Sequence, residues 1–220
     1  MRIFRTIRPK NFHDSIHIRL FSSSSKTCYV STFDLAKFKK DGFLVSDWKI
    51  PDEIVCRLRD RAPRLFHGDF ETGIYPDEWY GREGMSLPLV SKEIFNVWKS
   101  DRWYATVSLS SAIHGICAHL GHWQGSRLAQ DNIVIKPSDG GSPIHFHQDS
   151  QYVSAQFTPL SNNSVTCWIP LIDASSETGT IEYAKGSHLW PISKGSLNFH
   201  GTENSYRHPM EETAKNLGIE

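Results

Sequence analysis

Charge of one sign is the first thing this sequence lacks. Its 220 residues carry 24 basic and 24 acidic side chains, a formal net charge of zero. That balance removes the electrostatic footprint of a nucleic-acid binder and of a protein drawn to an anionic membrane surface. Long apolar runs are also missing, and no stretch approaches the roughly 20 residues that a bilayer-spanning helix needs. Cysteine is sparse, with four in all. Cys28, Cys56, Cys117 and Cys167 lie far apart, with no Cys-x-x-Cys and no short-spaced Cys/His set. Such spacing argues against a structural zinc site and against a disulfide scaffold. Four reduced thiols, some of them core residues, are the expectation.

Acidic residues are nearly absent from the first stretch, Met1 to about Thr27. It carries Arg2, Arg5, Arg8, Lys10 and Arg19 against Asp14, and Ser22 to Ser25 is a serine run. An arginine-rich, serine-rich, acid-poor start reads as a mitochondrial transit peptide, and Arg19-Leu20-Phe21-Ser22 resembles a matrix-processing site. The competing reading is a disordered basic tail. A secretory signal is disfavoured because no continuous apolar region follows the basic residues. The domain division is therefore 1–27, transit peptide or tail, and 32–220, one folded domain. The remaining length supports one sizeable core.

Within that domain, helical patterns come first. Thr32 to Lys40 reads as a helix stopped by Asp41-Gly42, and Phe43-Leu44-Val45 as a short buried strand. Pro51 suits the first turn of a second helix, with Asp52 and Glu53 at its positive end and an apolar stripe of Ile54, Val55, Leu58, Ala62, Leu65 and Phe66. Gly68 to Pro88 reads as an aromatic-anchored loop in which Tyr75, Trp79 and Tyr80 suggest a lid. Ile94, Val97 and Trp98 recur at helical spacing, and Ala112 to Leu120 marks another helix ended by Gly121. Short apolar runs with a period of two follow. Strands are expected at 132–137, around His147, at 165–171 and at 180–184, with a weak helix at 210–217. Helices followed by strands indicate an α+β fold with a mainly β core, the strands antiparallel in a sandwich or barrel.

The chemistry concentrates in Pro143-Ile144-His145-Phe146-His147-Gln148-Asp149-Ser150. In a strand, residues two apart share a face, so His147 and Asp149 would project together into one pocket. An imidazole and a carboxylate supply two members of the 2-His-1-carboxylate face that holds non-haem Fe(II) with open positions. His145 could share that face, but consecutive same-face ligands would crowd one metal, so packing beside the site is its assignment.

Three stretches carry a resemblance: Phe146 to Tyr152, Thr166 to Ala174 and Gly179 to His188, preceded by Phe38-Lys39-Lys40-Asp41-Gly42-Phe43-Leu44-Val45. In order and spacing, from about Thr32 to Trp190, they resemble the phytanoyl-CoA dioxygenase family of Fe(II)- and 2-oxoglutarate-dependent oxygenases. The resemblance implies a double-stranded β-helix, a cupin-like jelly-roll with N-terminal helices. It implies Fe(II) as cofactor, with 2-oxoglutarate and O2 as co-substrates. The activity it implies is hydroxylation of a small organic substrate with release of succinate and CO2. His147 and Asp149 match the first two metal ligands and are the catalytic candidates. Trp168 matches an aromatic beside 2-oxoglutarate, with sandwich packing as its competing role. Asn132 and Lys92 fall at co-substrate-contacting positions, although a solvent-facing role is the usual one for a lysine. Lys136 borders the same region, and His188, in a Gly-Ser-His turn, is structural.

One departure stands out. The resemblance implies a third ligand, a late-strand histidine, followed by an arginine that clamps the distal carboxylate of 2-oxoglutarate. His200, His208 and Arg207 are the downstream candidates, but their surroundings read as loop. The expectation is a domain incomplete at its C-terminus and inactive as it stands. Two alternatives remain open, a non-catalytic cupin-like small-molecule-binding module and a cupin-type enzyme that uses no 2-oxoglutarate. Substrate and oligomeric state are not legible.

Overall fold

A computed structural model describes residues 2–5, 32–82, 84–86, 90–138, 143–150, 153, 164–192 and 205–219. The elements in chain order are β1 (Arg2–Arg5), α1 (Thr32–Asp41), α2 (Asp52–Phe66), β2 (Glu78–Tyr80), β3 (Lys92–Phe95), α3 (Arg102–Ser108), α4 (Ser111–Leu120), β4 (Ser126–Gln130), β5 (Asn132–Ile135), β6 (Ser164–Thr166) and α5 (His208–Asn216). Short 3-10 turns occupy Val97–Lys99 and Ser187–Leu189. The fold is mixed helix and sheet. Its described sheets are antiparallel, one ordered β4-β1-β6 and the other β2-β3-β5.

Helix α2 forms as its sequence indicates. Pro51 precedes it with φ −53°, and Asp52 and Glu53 lie where the helix dipole favours negative charge. Leu58, Ala62 and Leu65 lie on one stripe and are buried. Leu65 is fully buried and Phe66 nearly so, each burial contributing about 1.5–3 kcal/mol. The same stripe carries Arg61, also buried, and that charge dictates what packs against the helix.

Its partner is Asp101, whose carboxylate is fully buried. Arg61 Nε donates to Asp101 Oδ2 at 2.6 Å, and Arg61 Nη2 donates to the Asp69 carbonyl at 2.9 Å. Asp101 is also the N-cap of α3, its Oδ1 accepting from the N–H groups of Trp103 at 2.9 Å and Tyr104 at 3.1 Å. One carboxylate therefore closes a helix terminus and neutralises a buried guanidinium. Burial alone would lower the Arg61 pKa; the Asp101 hydrogen bond and charge hold it above the ordinary value. Tyr104 completes the joint by donating its hydroxyl to the Leu58 carbonyl at 3.0 Å.

A second buried carboxylate, Asp131, fixes the corner between β4 and β5. It accepts from Ser108 Oγ at 2.6 Å and from the Trp98 N–H at 3.2 Å, tying the end of α3 and the 3-10 turn to the sheet. Burial pushes its carboxyl up, and those donors offset part of the shift. On the other side of the sheet, Ile94 of β3 faces Ile133 of β5 in register, and both are buried.

The structure corrects several expectations. His147 and Asp149 do not lie on a strand: 145–148 has no regular structure and Asp149 begins a turn. Phe43-Leu44-Val45 and 180–184 form no ladder, and the strand expected at 165–171 is confined to Ser164–Thr166. Phe43 instead stacks on Tyr183, with ring centroids 4.9 Å apart, so each segment spends its apolar side chain on the other. The helical spacing of Ile94, Val97 and Trp98 arises from β3 turning into a 3-10 turn through Asn96 at φ 56°. The described core is not mainly β, because most of its buried apolar side chains come from α2, α3 and α4. Residues 6–31, which include Cys28 and most of the 1–27 segment, and the Gln151-Tyr152 end of the quoted motif lie outside the described residues, while Arg2–Arg5 form β1.

Asp101→Ala is expected to lower the unfolding free energy by about 3–5 kcal/mol, because it strands a buried guanidinium and uncaps α3. Lys99→Ala, which breaks the exposed Lys99–Asp77 pair, is expected to cost less than about 1 kcal/mol. Urea denaturation of both variants checks the contrast, and equal losses would contradict the assignment of the buried pair.

Candidate metal centre

The segment from His145 to Asp149 is held by contacts to three other parts of the chain rather than by a strand ladder. Gln148 donates through Nε2 to the carbonyls of Ser187 at 3.0 Å and Trp190 at 3.3 Å. Phe146 N–H donates to the Tyr206 carbonyl at 3.0 Å, and the two rings stack with centroids 6.2 Å apart. His145 Nε2 lies 3.4 Å from Ser205 Oγ, which fits the packing role assigned to it. The 205–207 turn, read from sequence as loop, therefore docks directly on this segment. At the other end, the Val153 N–H donates to the Asp149 carbonyl at 3.0 Å and starts a helical turn there.

This docking leaves His147 and Asp149 facing each other. His147 Nε2 is 3.4 Å from Asp149 Oδ1, with the side chains 26% and 37% exposed. His147 Nδ1 lies 2.7 Å from its neighbour's carbonyl, that of His145. A carbonyl only accepts, so Nδ1 carries a proton, and when the ring is neutral its Nε2 lone pair is the one turned to the carboxylate. In that state two acceptors face one another, an arrangement that a cation satisfies, whether a metal ion or a second ring proton. The separation lies inside the ~4.2 Å that two metal–ligand bonds of about 2.1 Å can span. Asp149 Oδ2 accepts from Thr166 Oγ1 at 3.0 Å, which turns the other oxygen toward His147. A hydroxyl on a ligating carboxylate and a carbonyl on the far nitrogen of a ligating imidazole are the usual supports of metal ligands. His147 and Asp149 thus fit two positions of a metal site. Among the described residues, no group of three His, Cys, Asp or Glu side chains is gathered to hold a metal.

The other sequence candidates are more dispersed. Lys92 opens β3 opposite Ile135, and Asn132 opens β5 opposite Phe95. Alternation puts Lys92 on the face of buried Ile94 and Asn132 on the opposite face. Asn132 Nδ2 accordingly donates to Glu93 Oε1 at 2.5 Å, so the structure does not bring these two together. Trp168 lies two residues beyond Thr166 and is 44% exposed. His188 Nε2 lies 3.0 Å from the Lys39 carbonyl, an imidazole N–H in the structural role expected of it. Its ring covers Gly42, at φ +82°, where a Cβ would collide with His188 Nδ1. Arg207 pairs with both carboxylate oxygens of Glu182, at 3.0 and 2.9 Å, and Tyr206 donates its hydroxyl to the same carboxylate at 3.1 Å. His208 starts α5, and His200 lies outside the described residues.

Sequence reasoning missed Thr166, Gln148 and Tyr183. Tyr183 lies within the electrostatic reach of Asp149, since burial raises its phenol and the charges of Asp149 and Cys167 add to the rise. All three lie within stretches quoted for the family resemblance, but no periodicity marks them. A cleft of about 420 Å³ beside α2, lined by Arg57, Arg61, Arg64, Asp69, Glu71 and Trp103, contains none of the candidate metal residues. Its arginines are largely engaged: Arg61 with Asp101 and Asp69, Arg64 with Asp69, and Arg57 over the Trp103 ring.

The family profile for phytanoyl-CoA dioxygenase (PhyH) matches residues 38–217. The chain belongs to the phytanoyl-CoA dioxygenase family. The match covers His147 and Asp149, their supports Thr166 and Gln148, and the docking turn at 205–207. No curated protein and no solved structure matches the chain. Membership makes Fe(II)/2-oxoglutarate-dependent oxygenase chemistry the broad expectation for this fold. Among the described residues, no helix is long and apolar enough to cross a membrane.

The Arg207 hydrogen bond holds the Glu182 carboxyl below its ordinary value, with the Tyr206 hydrogen bond adding to the effect. A depressed folded-state pKa means that docking of the 205–207 turn gains from Glu182 above the ordinary glutamate pKa and loses that gain as pH falls through the lowered value. Arg207→Gln is expected to return Glu182 toward the ordinary glutamate range, read by carboxyl ¹³C NMR titration. An unchanged midpoint would remove Arg207 as the cause.

Proposed function

We propose that this protein is an Fe(II)- and 2-oxoglutarate-dependent dioxygenase that hydroxylates a small organic substrate. The observation that carries this reading is the His147 Nε2–Asp149 Oδ1 approach of 3.4 Å, with the far side of each ligand tied to a hydrogen-bond partner. His147 and Asp149 would hold the metal. Bound Fe(II) with 2-oxoglutarate and O2 supplies oxidative decarboxylation to succinate and CO2, coupled to hydroxylation of a C–H bond. This chain's own contribution is to fix the ligands before the metal arrives. His145 selects the His147 tautomer, Thr166 aims Asp149, and Gln148 with Tyr206 hold the backbone between them. Trp168 is a proposed co-substrate residue, together with either Asn132 or Lys92, which lie on opposite faces of the β2-β3-β5 sheet and do not line one pocket, on a double-stranded β-helix of the kind the family implies. The third histidine and the clamping arginine are not assigned, since the one described downstream arginine nearby, Arg207, is engaged by Glu182.

A second reading, a cupin-like binding module without turnover, is favoured by one observation: no third described ligand joins the pair. The arginine-rich first stretch supports a mitochondrial address for either reading. Removing it would take away β1 and leave β4 and β6 without the strand between them.

Purified protein given Fe(II), 2-oxoglutarate and O2 is expected to release succinate, and His147→Ala to abolish that release. Stoichiometric metal binding with no succinate would instead establish the binding module. Thr166→Val is expected to weaken Mn(II) binding about tenfold in equilibrium dialysis, whereas Thr166→Ser retains it. Unchanged affinity in Thr166→Val would show that the hydroxyl does not orient the ligand.

A further inference from the structure

Two of the four cysteines meet. Cys117 lies on α4 with no exposed surface, and Cys167 lies just past β6, half-buried. Their sulfurs are 3.3 Å apart although 50 residues separate them in sequence. Cys56, by contrast, is exposed on α2. A disulfide sets its sulfurs about 2.05 Å apart, so the two need to close by only about 1.2 Å. The ends they would join are held by different elements, α4 in the helical layer and β6 in the β4-β1-β6 sheet.

We propose that Cys117 and Cys167 are an oxidisable thiol pair, a disulfide modification site for which hydrogen peroxide is the oxidant. Cys167 is the one of the two residues with exposed surface, and its sulfur as thiolate attacks one peroxide oxygen. The O–O bond breaks, Cys167 becomes a sulfenic acid, and the departing hydroxide leaves as water with the proton that Cys167 released. The Cys117 sulfur then attacks the Cys167 sulfur. The S–S bond forms, the S–O bond breaks, and hydroxide takes the Cys117 proton to leave as a second water. Two thiols are oxidised by two electrons and one peroxide is reduced to two waters. The burial of Cys117 behind Cys167 sets the order, because peroxide meets Cys167 first and the resolving sulfur is already in contact. The bond would form one residue from Thr166, whose hydroxyl rests on Asp149. Oxidation therefore acts on the backbone that presents the candidate metal carboxylate, and the thiol chemistry does not depend on whether that carboxylate binds metal.

The test uses the full chain, reduced, desalted and treated with a small molar excess of hydrogen peroxide. Remaining thiols are then alkylated under denaturing conditions, and intact mass and proteolytic peptides are read by mass spectrometry. The expected result is two alkylated cysteines where the untreated reduced chain has all four alkylated, and a single linked peptide pair containing Cys117 and Cys167, both reversed by dithiothreitol. Cys56→Ser should leave that result unchanged. Cys117→Ser should lose the linked pair and leave Cys167 as a sulfenic acid trapped by dimedone. Quantitative alkylation of both Cys117 and Cys167 after peroxide treatment of the wild-type chain would overturn the proposal. So would a linked pair dominated by Cys28 or Cys56. Both outcomes are read on the wild-type protein, whatever the fate of the variants.

Discussion

Asp101 places a full negative charge where water does not reach, and the helical layer is arranged to answer it. Taking a carboxylate out of water costs several kcal/mol, and only good geometry repays that cost. Here three donors repay it: the Arg61 guanidinium and the N–H groups of Trp103 and Tyr104 in the first turn of α3. The consequence is positional. Helix α2 cannot slide or rotate on α3 without stranding a charge, and Tyr104 pins the same crossing through the Leu58 carbonyl. The apolar residues around it, Leu58, Leu65, Phe66 and Val107, supply most of the burial energy, but they would tolerate other registers. From α3 the order passes to the sheet through Ser108 on Asp131 and through the in-register Ile94 and Ile133.

Elements whose signal is periodic burial were legible in the sequence. Helix α2 shows its stripe, α4 shows one ended at Gly121, and β5 is an apolar run before Lys136-Pro137. Elements whose signal lies in a tertiary partner were not. Helix α3 is only seven residues long, and what makes it a helix is the Asp101 cap, itself stabilised by an arginine 40 positions away. Strand β4, Ser-Arg-Leu-Ala-Gln, has no alternation of hydrophobicity and exists by pairing. Phe43 and Tyr183 failed in the opposite way. Their apolar runs read as buried strands, yet the chain satisfies them by stacking the two rings, which needs no ladder.

The candidate site divides along the same line. His147 and Asp149 were legible as residue types, and the reason given for their convergence, strand periodicity, does not hold. They meet because a turn begins at Asp149 and because Gln148 and Phe146 are tied to carbonyls 39 and 60 residues downstream. Spacing of two brings side chains together in a strand and in this turn for different reasons, so the approach of the two side chains holds while the strand geometry expected for it does not. Thr166 was invisible because a threonine in a short strand is ordinary, and only its hydroxyl on Asp149 distinguishes it.

The tautomer of His147 connects the fold to the chemistry. A ring with both nitrogens in water would present either one to a metal and would pay to choose. With Nδ1 committed to the His145 carbonyl, Nε2 is the nitrogen presented, and its direction is set by backbone that 187–190 and 205–207 hold in place. Thr166 makes the same choice for the carboxylate by engaging one oxygen and turning the other inward. Preorganisation of this kind would lower the cost of assembling the proposed coordination face, through groups that would not themselves touch the metal. It also locates the weak point. Three separate segments have to dock on five residues for His147 and Asp149 to face each other, and the one nearest Asp149 ends beside a cysteine whose sulfur already rests against another. A change of about 1.2 Å at that sulfur is comparable to the tolerance of a metal–ligand arrangement, so the chemistry of the thiol pair and the geometry of the carboxylate share one piece of backbone.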